Sequence, residues 1–295
     1  MHIAITGSSG LIGQALTAAL DAAGHEVVRL VRREATEPGE AAWDIAAGTI
    51  DTSALEDVDA IMHLAGENIG RRWTDSVKRR VLESRVEGTK LIASTAAELP
   101  KKPVLLCASA TGFYGNRGDE EVDELSLRGA GFLADVVDAW EGAADEARAA
   151  GIRTVHLRQG IVLSRHGGAL QRMLAPFRLG VGGKVGSGRQ WWSWVSLDDV
   201  VSAFLFALEN PIGGPVNVTA PGSVTNLEFT KALGRALHRP TLFPLPSFAA
   251  RGAFGQMGEE MLLGGQKAKP RKLLEAGFVF AQPDIAAGLA RALAG

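Results

Sequence analysis

Tyrosine, cysteine and, over a long stretch, lysine are scarce in this sequence. Only one tyrosine and one cysteine occur among its 295 residues. A single cysteine excludes an intramolecular disulfide, and with it the class of small secreted proteins held together by disulfides. No lysine occurs between Lys102 and Lys184. These scarcities limit any chemistry that needs a phenol beside an ammonium group.

The chain also has little net charge and no long apolar run. It carries 31 basic and 33 acidic residues, a formal net charge of −2, which lacks the basic excess of nucleic-acid-binding proteins. No segment approaches the roughly 20 apolar residues of a membrane helix, and the opening MHIAITGSSG is unlike a signal peptide. The six histidines show no metal-ligand spacing. We therefore predict a cytoplasmic protein without a metal site, nucleic-acid partner or membrane partner, its oligomeric state left open.

Strand-like and helix-like segments alternate through the first half of the chain. Short β-branched or apolar runs predict strands, and segments with helical spacing lie between them. The predicted strands are 2–6, 26–31, 58–64, 104–108 and 152–157, and the predicted helices are 11–23, 76–97 and 132–149. This alternation predicts an α/β fold, a Rossmann-type doubly wound parallel sheet with helices on both faces.

The pattern becomes less regular after about residue 165. Glycine-rich turns and the run WWSW lead to short elements near 216–219, 227–237 and 284–294. We expect a nucleotide-binding domain at 1–165, to which the chain returns around 195–220. A smaller, irregular C-terminal α/β substrate region at 166–295 would end in a distinct tail from about 245.

A glycine motif follows the first predicted strand and opens the first predicted helix. Residues 7–13 read GSSGLIG, with glycine at every third position. Such glycines permit a tight turn and close approach of a pyrophosphate, and the helix N-terminus offers free N–H groups. In this context the motif predicts a dinucleotide site that includes Gly7, Ser9, Gly10, Leu11, Ile12 and Gly13.

Two arginines end the second predicted strand, where the cofactor's ribose is recognised. An acidic residue there would bind the 2′-hydroxyl of NAD, whereas arginine suits the 2′-phosphate of NADP. Arg32 and Arg33 occupy this place and favour NADP(H) over NAD(H), although a solvated basic pair is the alternative. Leu64, Ala65 and Gly66 end the next strong strand and would lie under the adenosine, unless they form a simple turn.

Several motifs together resemble the extended short-chain dehydrogenase/reductase superfamily, and more closely its atypical branch of NAD-dependent "epimerase family" proteins. Ser196 departs from that pattern, since histidine is expected before the Asp-Asp pair. The resemblance spans nearly the whole chain. The matching stretches are HLAGENI (63–69), Ser84-Arg85, SATGFYG (109–115), LRQGIVLSRHGGAL (157–170), GVGGKVGSGRQWWSWVSLDD (180–199) and KPRKLLEAGFVF (269–280).

The resemblance implies a catalytic Tyr-x-x-x-Lys pair with a Ser or Thr, and the pair is missing here. Tyr114, the sole tyrosine, precedes Gly118 rather than a lysine by four residues. Phe132 and Val136 stand near the expected positions of the pair. Ser109 and Tyr114 remain as catalytic candidates. Each has a structural alternative, a hydroxyl bound to backbone for Ser109 and a buried packing residue for Tyr114.

Other polar residues at predicted strand ends are weaker site candidates. Glu67, Arg85, Ser109 and Arg158 are expected near the cofactor, with Arg85 paired either with a phosphate or with Glu67. Asn68, Gln190 and Trp191 are expected near the substrate, although the tryptophans suit a hydrophobic seam equally well.

Two functional hypotheses follow. The first is an NADP(H)-dependent oxidoreductase or epimerase that acts on a small carbonyl or sugar-like substrate without the Tyr-Lys pair. The second is a non-catalytic NADP(H)-binding sensor or regulator.

Overall fold

The computed structural model describes residues 1–294, and these contain fourteen strands. Most of the long strands lie in the first 165 residues. In chain order they are β1 (His2–Thr6), β2 (Glu26–Val31), β3 (Glu40–Asp44), β4 (Thr49–Ile50), β5 (Ala60–His63), β6 (Val104–Ala110), β7 (Glu121–Val122), β8 (Thr154–Gln159), β9 (Ile161–Leu163), β10 (Trp191–Trp192), β11 (Trp194–Ser196), β12 (Gly214–Val218), β13 (Val224–Thr225) and β14 (Lys267–Ala268).

Ten α-helices connect these strands, and a short π-helical segment, Gly258–Leu263, lies near the end. The helices are α1 (Leu11–Ala22), α2 (Asp75–Glu98), α3 (Phe132–Gly142), α4 (Asp145–Ala149), α5 (Gly168–Arg178), α6 (Leu197–Glu209), α7 (Asn226–Ala236), α8 (Ser247–Phe254), α9 (Arg271–Glu275) and α10 (Ile285–Ala294). None of the helices described is long and apolar enough to span a membrane.

The main sheet has eight strands in the order β12-β8-β6-β5-β1-β2-β3-β4. All neighbours are parallel except β3 and β4. The chain moves from β1 to β2 on one side and later to β5 on the other, so the direction of winding changes at β1. In open parallel sheets, ligands bind beyond the carboxyl ends of the strands at such a point.

Helices cover both faces of this sheet, as its buried strands require. On one face, Leu16 and Leu20 of α1 pack with Val200 and Phe204 of α6. On the other, α2 and α4 pack against alternate residues of the same strands. This arrangement confirms the predicted Rossmann-type fold.

The remaining chain forms a smaller α/β region around a tryptophan-rich core. Trp192 and Trp194 pack there with Phe229 of α7 and Leu289 of α10. Three two-stranded sheets, β10–β13, β9–β11 and β7–β14, accompany these helices.

Within the main sheet and its covering helices, the structure differs from the sequence-based expectation at two places. The predicted helix at 132–149 is two helices, α3 and α4, with a break after Gly142. Strands β3 and β4 extend the sheet beyond β2 and were not predicted. Their runs are short and mixed in polarity, so periodicity could not distinguish them from loop.

Candidate functional site

The turn after β1 brings the chain unusually close to itself. Gly7 has φ +68°, and a Cβ there would lie 2.9 Å from the backbone nitrogen of Ala65. A Cβ on Gly13 would overlap the carbonyl oxygen of Gly7. Only glycine fits either place, so the motif joins β1, α1 and the loop after β5 at one point.

The N-terminus of α1 faces outward from this turn without a cap. Gly10 is the N-cap residue, no side chain caps it, and no acidic residue lies in the first turn. Ser9 and Gly10 are exposed, while Leu11 and Ile12 are half-buried. The free N–H groups and the helix dipole therefore remain available to an anion.

A hydroxyl at the end of β1 holds the loop after β5. Thr6 Oγ1 accepts the backbone N–H groups of Leu64 (3.0 Å) and Ala65 (3.2 Å) and contacts His63 Nδ1 at 2.8 Å. Complete burial lowers the pKa of His63 to about 4, so this ring is neutral. Leu64 and Ala65 are thereby fixed beside Gly7, at the carboxyl edge of the sheet.

The two arginines after β2 have different surroundings. Both Nη atoms of Arg33 bind the carboxylate of Glu40, at 2.7 and 2.8 Å. Within residues 1–294, the exposed Arg32 side chain has no hydrogen-bond or ion-pair partner. Arg32 can therefore accept a phosphate without losing an existing contact, whereas Arg33 would have to exchange one.

The polar groups of the loop after β5 are engaged with the protein itself. Arg85 donates to the carbonyl oxygens of Glu67 and Val81 and stacks on Trp140, 4.9 Å from the ring centroid. Burial lowers the pKa of Arg85 to about 10. The Glu67 carboxylate pairs with Arg71. Arg85 therefore orders this loop through its backbone, and not through the Glu67 carboxylate.

Gly66 and Asn68 are exposed residues of the same loop. Gly66 packs against the Arg85 guanidinium, because a Cβ on Gly66 would lie 3.3 Å from Arg85 Cζ. The Asn68 side chain accepts the backbone N–H of Gly70 at 2.8 Å. The assignments of Gly66, Glu67 and Arg85 to the cofactor and of Asn68 to the substrate remain predictions.

A buried ionic network occupies the other end of the sheet edge. Arg158, at the end of β8, forms a double hydrogen bond with Glu141 of α3, at 2.7 and 2.8 Å. Ser109 donates to the same carboxylate at 2.5 Å. The Arg158 guanidinium also stacks on Phe113, 3.5 Å from the ring centroid. Ser109 and Arg158 are each 3% exposed. Glu141 binds both side chains, and the assignments of Ser109 and Arg158 to the cofactor remain predictions.

Tyr114 belongs to this network and is fully buried. Its hydroxyl donates to Asn217 Oδ1 at 2.7 Å and accepts from Arg158 at 3.1 Å. Burial raises the pKa of Tyr114 to about 12, despite the neighbouring guanidinium. A buried phenol with this pKa is a poor proton donor near neutrality. The geometry therefore favours the packing alternative over catalysis for Tyr114.

The start of α3 carries a carboxylate from the C-terminal part of the chain. Glu260 accepts the backbone N–H groups of Phe132 (3.0 Å) and Leu133 (2.9 Å). Phe132 stacks edge-on against Trp73, and Val136 is buried beside Val77 and Met257. Positions 132 and 136 thus carry apolar side chains in place of the tyrosine and lysine of the pair, and Lys78 Nζ of α2 lies 5.5 Å from the centroid of the Phe132 ring.

Gln190 and Trp191 connect segments of the smaller region. The Gln190 amide donates to the carbonyl oxygens of Val185 and Leu262. Trp191 Nε1 donates to Asp119 at 2.7 Å, and Lys267 lies over its ring. With Trp192 and Trp194 buried, the geometry favours the hydrophobic-seam interpretation. The substrate roles of Gln190 and Trp191 remain predictions.

Comparison with known proteins places this arrangement in a family. The sequence profile described as "NAD dependent epimerase/dehydratase family" matches residues 3–219, most of the chain. The chain belongs to this family. A second profile, a domain of unknown function (DUF1731), matches residues 245–292.

Relatives within the epimerase family extend along the whole chain. "Epimerase family protein Mb2239" of Mycobacterium bovis is 48% identical over 289 residues, which cover 97% of this chain and 96% of the relative. The crystal structure of human epimerase family protein SDR39U1 with NADPH has a TM-score of 0.90 at 37% identity, covering both chains completely. The crystal structure of the nucleoside-diphosphate sugar epimerase from Corynebacterium glutamicum has a TM-score of 0.83 at 39% identity, and the match covers 99% of this chain but 58% of that one.

The sequence did not reveal three carboxylates that bind the predicted site residues or the elements beside them. Glu141, Glu40 and Glu260 engage Arg158, Arg33 and the start of α3. Glu141 had a detectable signal, because it lies on the buried stripe of α3, four residues after Val137. A charged residue at such a position usually has a buried partner.

Proposed function

We propose that this chain binds NADPH across the carboxyl edge of its main sheet. With NADPH, the chain acts as an oxidoreductase on a small carbonyl substrate, or, with the oxidised form NADP⁺ as hydride acceptor, as an epimerase-like enzyme on a sugar-like substrate. The observation that carries the proposal is the uncapped start of α1 beside two glycines that tolerate no Cβ. This cradle has the shape and the donors that a pyrophosphate needs.

Charge at the end of β2 supports NADPH in particular. Arg32 is exposed and unpartnered within the described chain, at the place where the adenosine ribose is recognised. The human relative, 37% identical, was crystallised with NADPH, which agrees with this assignment.

When bound, NADPH supplies a hydride from its nicotinamide ring to a carbonyl carbon. The chain's own residues hold the two ends of the cofactor at the carboxyl edge of the sheet. Tyr114 would not supply the accompanying proton, because its hydroxyl is buried and bonded at both its hydrogen and its oxygen. The proton would therefore come from water or from the substrate's own groups.

The first test measures binding by titrating the purified chain with NADPH and following its fluorescence. Gly10→Glu places a negative charge at the exposed start of α1, where it repels phosphate. We expect this variant to lose NADPH binding, and thermal unfolding is measured beside it because a Cβ on Gly10 would lie 3.2 Å from the Gly7 carbonyl oxygen. Gly252→Glu adds the same charge at an exposed glycine of α8 with open space around it, and should bind normally. Equal binding by the Gly10→Glu variant would contradict the proposal.

The second test measures turnover, following NADPH oxidation with a panel of small aldehydes, ketones and sugars. We expect at least one substrate to oxidise NADPH faster with the wild type than with Gly10→Glu. Tyr114→Phe should retain this activity, because the network gives Tyr114 a packing role. Loss of turnover in a folded Tyr114→Phe variant would instead assign the proton to this phenol.

A cofactor-binding sensor without chemistry is the second candidate. The observation that favours it is that the candidate catalytic side chains already have hydrogen-bond partners within the protein. Ser109 and Arg158 bind Glu141, and the Tyr114 hydroxyl binds Arg158 and Asn217. It predicts tight NADPH binding with neither oxidation nor exchange of isotope from the nicotinamide into any substrate.

A further inference from the structure

One side-chain amide at the carboxyl edge of the sheet has no partner. Gln159 is the last residue of β8, and its Nε2 atom is buried without a hydrogen bond. Its side chain makes no hydrogen bond to any residue in the range 1–294. A buried amide donor is costly to leave unpaired. Such a group at a sheet edge points to a ligand that supplies the missing partner.

The strand register separates Gln159 from the ionic network. Ser109 pairs with Arg158, whereas Ala110 pairs with Gln159. Side chains alternate between the faces of a sheet, so Gln159 points away from the face on which Ser109 and Arg158 bind Glu141. The network therefore leaves the Gln159 amide free.

Other polar groups already fix the backbone around Gln159. Thr111 Oγ1 donates to the Gln159 carbonyl oxygen at 3.3 Å and accepts from the Gln266 amide at 2.6 Å. Thr111 is therefore occupied at both its hydrogen and its oxygen. The end of β8 is held in place from β6 and from the C-terminal segment, while Gln159 Nε2 remains without a hydrogen bond.

The direction of the cofactor follows from the order of the strands, and this step depends on the function proposed above. Arg32 lies beyond β2, on one side of β1. If the adenosine half extends toward β2, the nicotinamide half must extend over β5, β6 and β8. Gln159 ends β8, three strand spacings or roughly 14 Å from β1 on that side.

We propose that Gln159 binds the carboxamide of the nicotinamide ring. A primary amide is complementary to another primary amide, because each offers an N–H donor and a carbonyl acceptor. The pair orients the ring by fixing which of its faces is turned toward the substrate. Gln159 is then a cofactor-binding and orienting residue that the glycine motif and the arginines do not reveal.

The test compares two ligands in calorimetric titrations. NADPH carries the carboxamide, and 2′-phospho-ADP-ribose lacks the nicotinamide ring but keeps the phosphates. We expect Gln159→Met to weaken NADPH binding about tenfold, as for the loss of one or two neutral hydrogen bonds. Binding of 2′-phospho-ADP-ribose should change less than about twofold on this scale. Gln171→Met, an exposed glutamine on α5, is the matched control.

Thermal unfolding without ligand gives an independent readout. Because the wild-type amide is buried unpaired, Gln159→Met should unfold at the same temperature or higher, and NADPH should raise that temperature less than in the wild type. Unchanged NADPH affinity in Gln159→Met would overturn the inference, as would an equal loss of affinity for both ligands. If the wild type binds neither ligand, the proposed function itself fails.

Discussion

Polar groups at the two ends of the carboxyl edge of the main sheet differ in whether the protein already provides their hydrogen-bond partners. At β1 and β2 the chain leaves donors free: the first N–H groups of α1 have no cap, and Arg32 has no partner in the described chain. At β6 and β8 the chain uses nearly all of them on itself, through Arg158, Glu141 and Ser109.

This contrast indicates that the end at β1 and β2 is suited to bind an anionic ligand, whereas the end at β6 and β8 is not arranged for proton transfer. Free donors at a rigid turn suit a ligand that brings its own negative charge. A buried, saturated ion pair contributes order, and its members cannot readily exchange protons with a substrate. In this epimerase-family chain, the proposed cofactor end at β1 and β2 keeps the glycine pattern of the superfamily, whereas the polar side chains at the ends of β6 and β8 bind one another and Glu141.

The largest effect is expected when the buried ion pair between Arg158 and Glu141 is broken. Arg158→Met leaves the Glu141 carboxylate buried without its partner, and we expect a loss of roughly 3–5 kcal/mol in the free energy of unfolding. Chemical denaturation at neutral pH measures it. NADPH affinity of the remaining folded protein should change little, since Arg158 faces Glu141 and not the glycine turn.

The matched control removes both charges. Glu141→Leu combined with Arg158→Met replaces the buried pair by apolar side chains and should recover most of the lost stability. If the double variant is as unstable as Arg158→Met, Glu141 is not the partner that matters. A large loss of NADPH affinity in either variant would erase the distinction between the two ends.

Acidification should lower the stability of the folded protein through one histidine at each end of the sheet edge, to a similar degree. Burial lowers the pKa of His63, beside the glycine turn, and of His156, on β8, each to about 4. The unfolded chain takes up these protons near pH 6.5, before the folded protein does, so stability falls as pH drops from about 6.5 to about 4. Each histidine should contribute roughly 2–3 kcal/mol over this range.

Denaturation midpoints measured across this pH window would show the effect. His156→Gln stays neutral at every pH and should remove about half of the decline attributed to the two rings. An unchanged pH profile in this variant would mean that His156 does not remain neutral in the folded protein.

The smallest expected effect is on NADPH affinity, in variants of the two arginines after β2. Arg32→Ala should weaken NADPH binding roughly 10- to 100-fold, as for one charge-assisted phosphate contact, with little change for NADH. Arg33→Ala should weaken it less, because Glu40 already holds that guanidinium. Fluorescence titration with both cofactors measures this, and equal losses for NADPH and NADH would refute the assignment.

The parts of the molecule governed by local patterns could be predicted from sequence. Strand and helix bounds in the first half agree with periodicity within a few residues, and the glycine spacing located the turn after β1. The absence of a Tyr-Lys pair followed from composition alone. In each case the signal lies within a short stretch of chain.

The partners of site residues could not be predicted, because they come from distant segments. The Tyr114 hydroxyl meets Asn217, 103 residues later. Glu40, by contrast, is only seven residues from Arg33, but nothing in the sequence indicates that the loop between them brings the two together. Identifying these contacts needs tertiary geometry, since a charged residue in a sequence does not reveal which opposite charge it will meet.

The Glu260 carboxylate at the start of α3 has a consequence for the order of folding. It bonds backbone groups 127 and 128 residues earlier in the chain. During synthesis, α3 leaves the ribosome long before its cap does, and domains fold as their residues emerge. The first turn of α3 therefore gains these two hydrogen bonds only after residue 260 has been synthesised, whereas Ser109, Glu141 and Arg158 are all made more than 100 residues earlier.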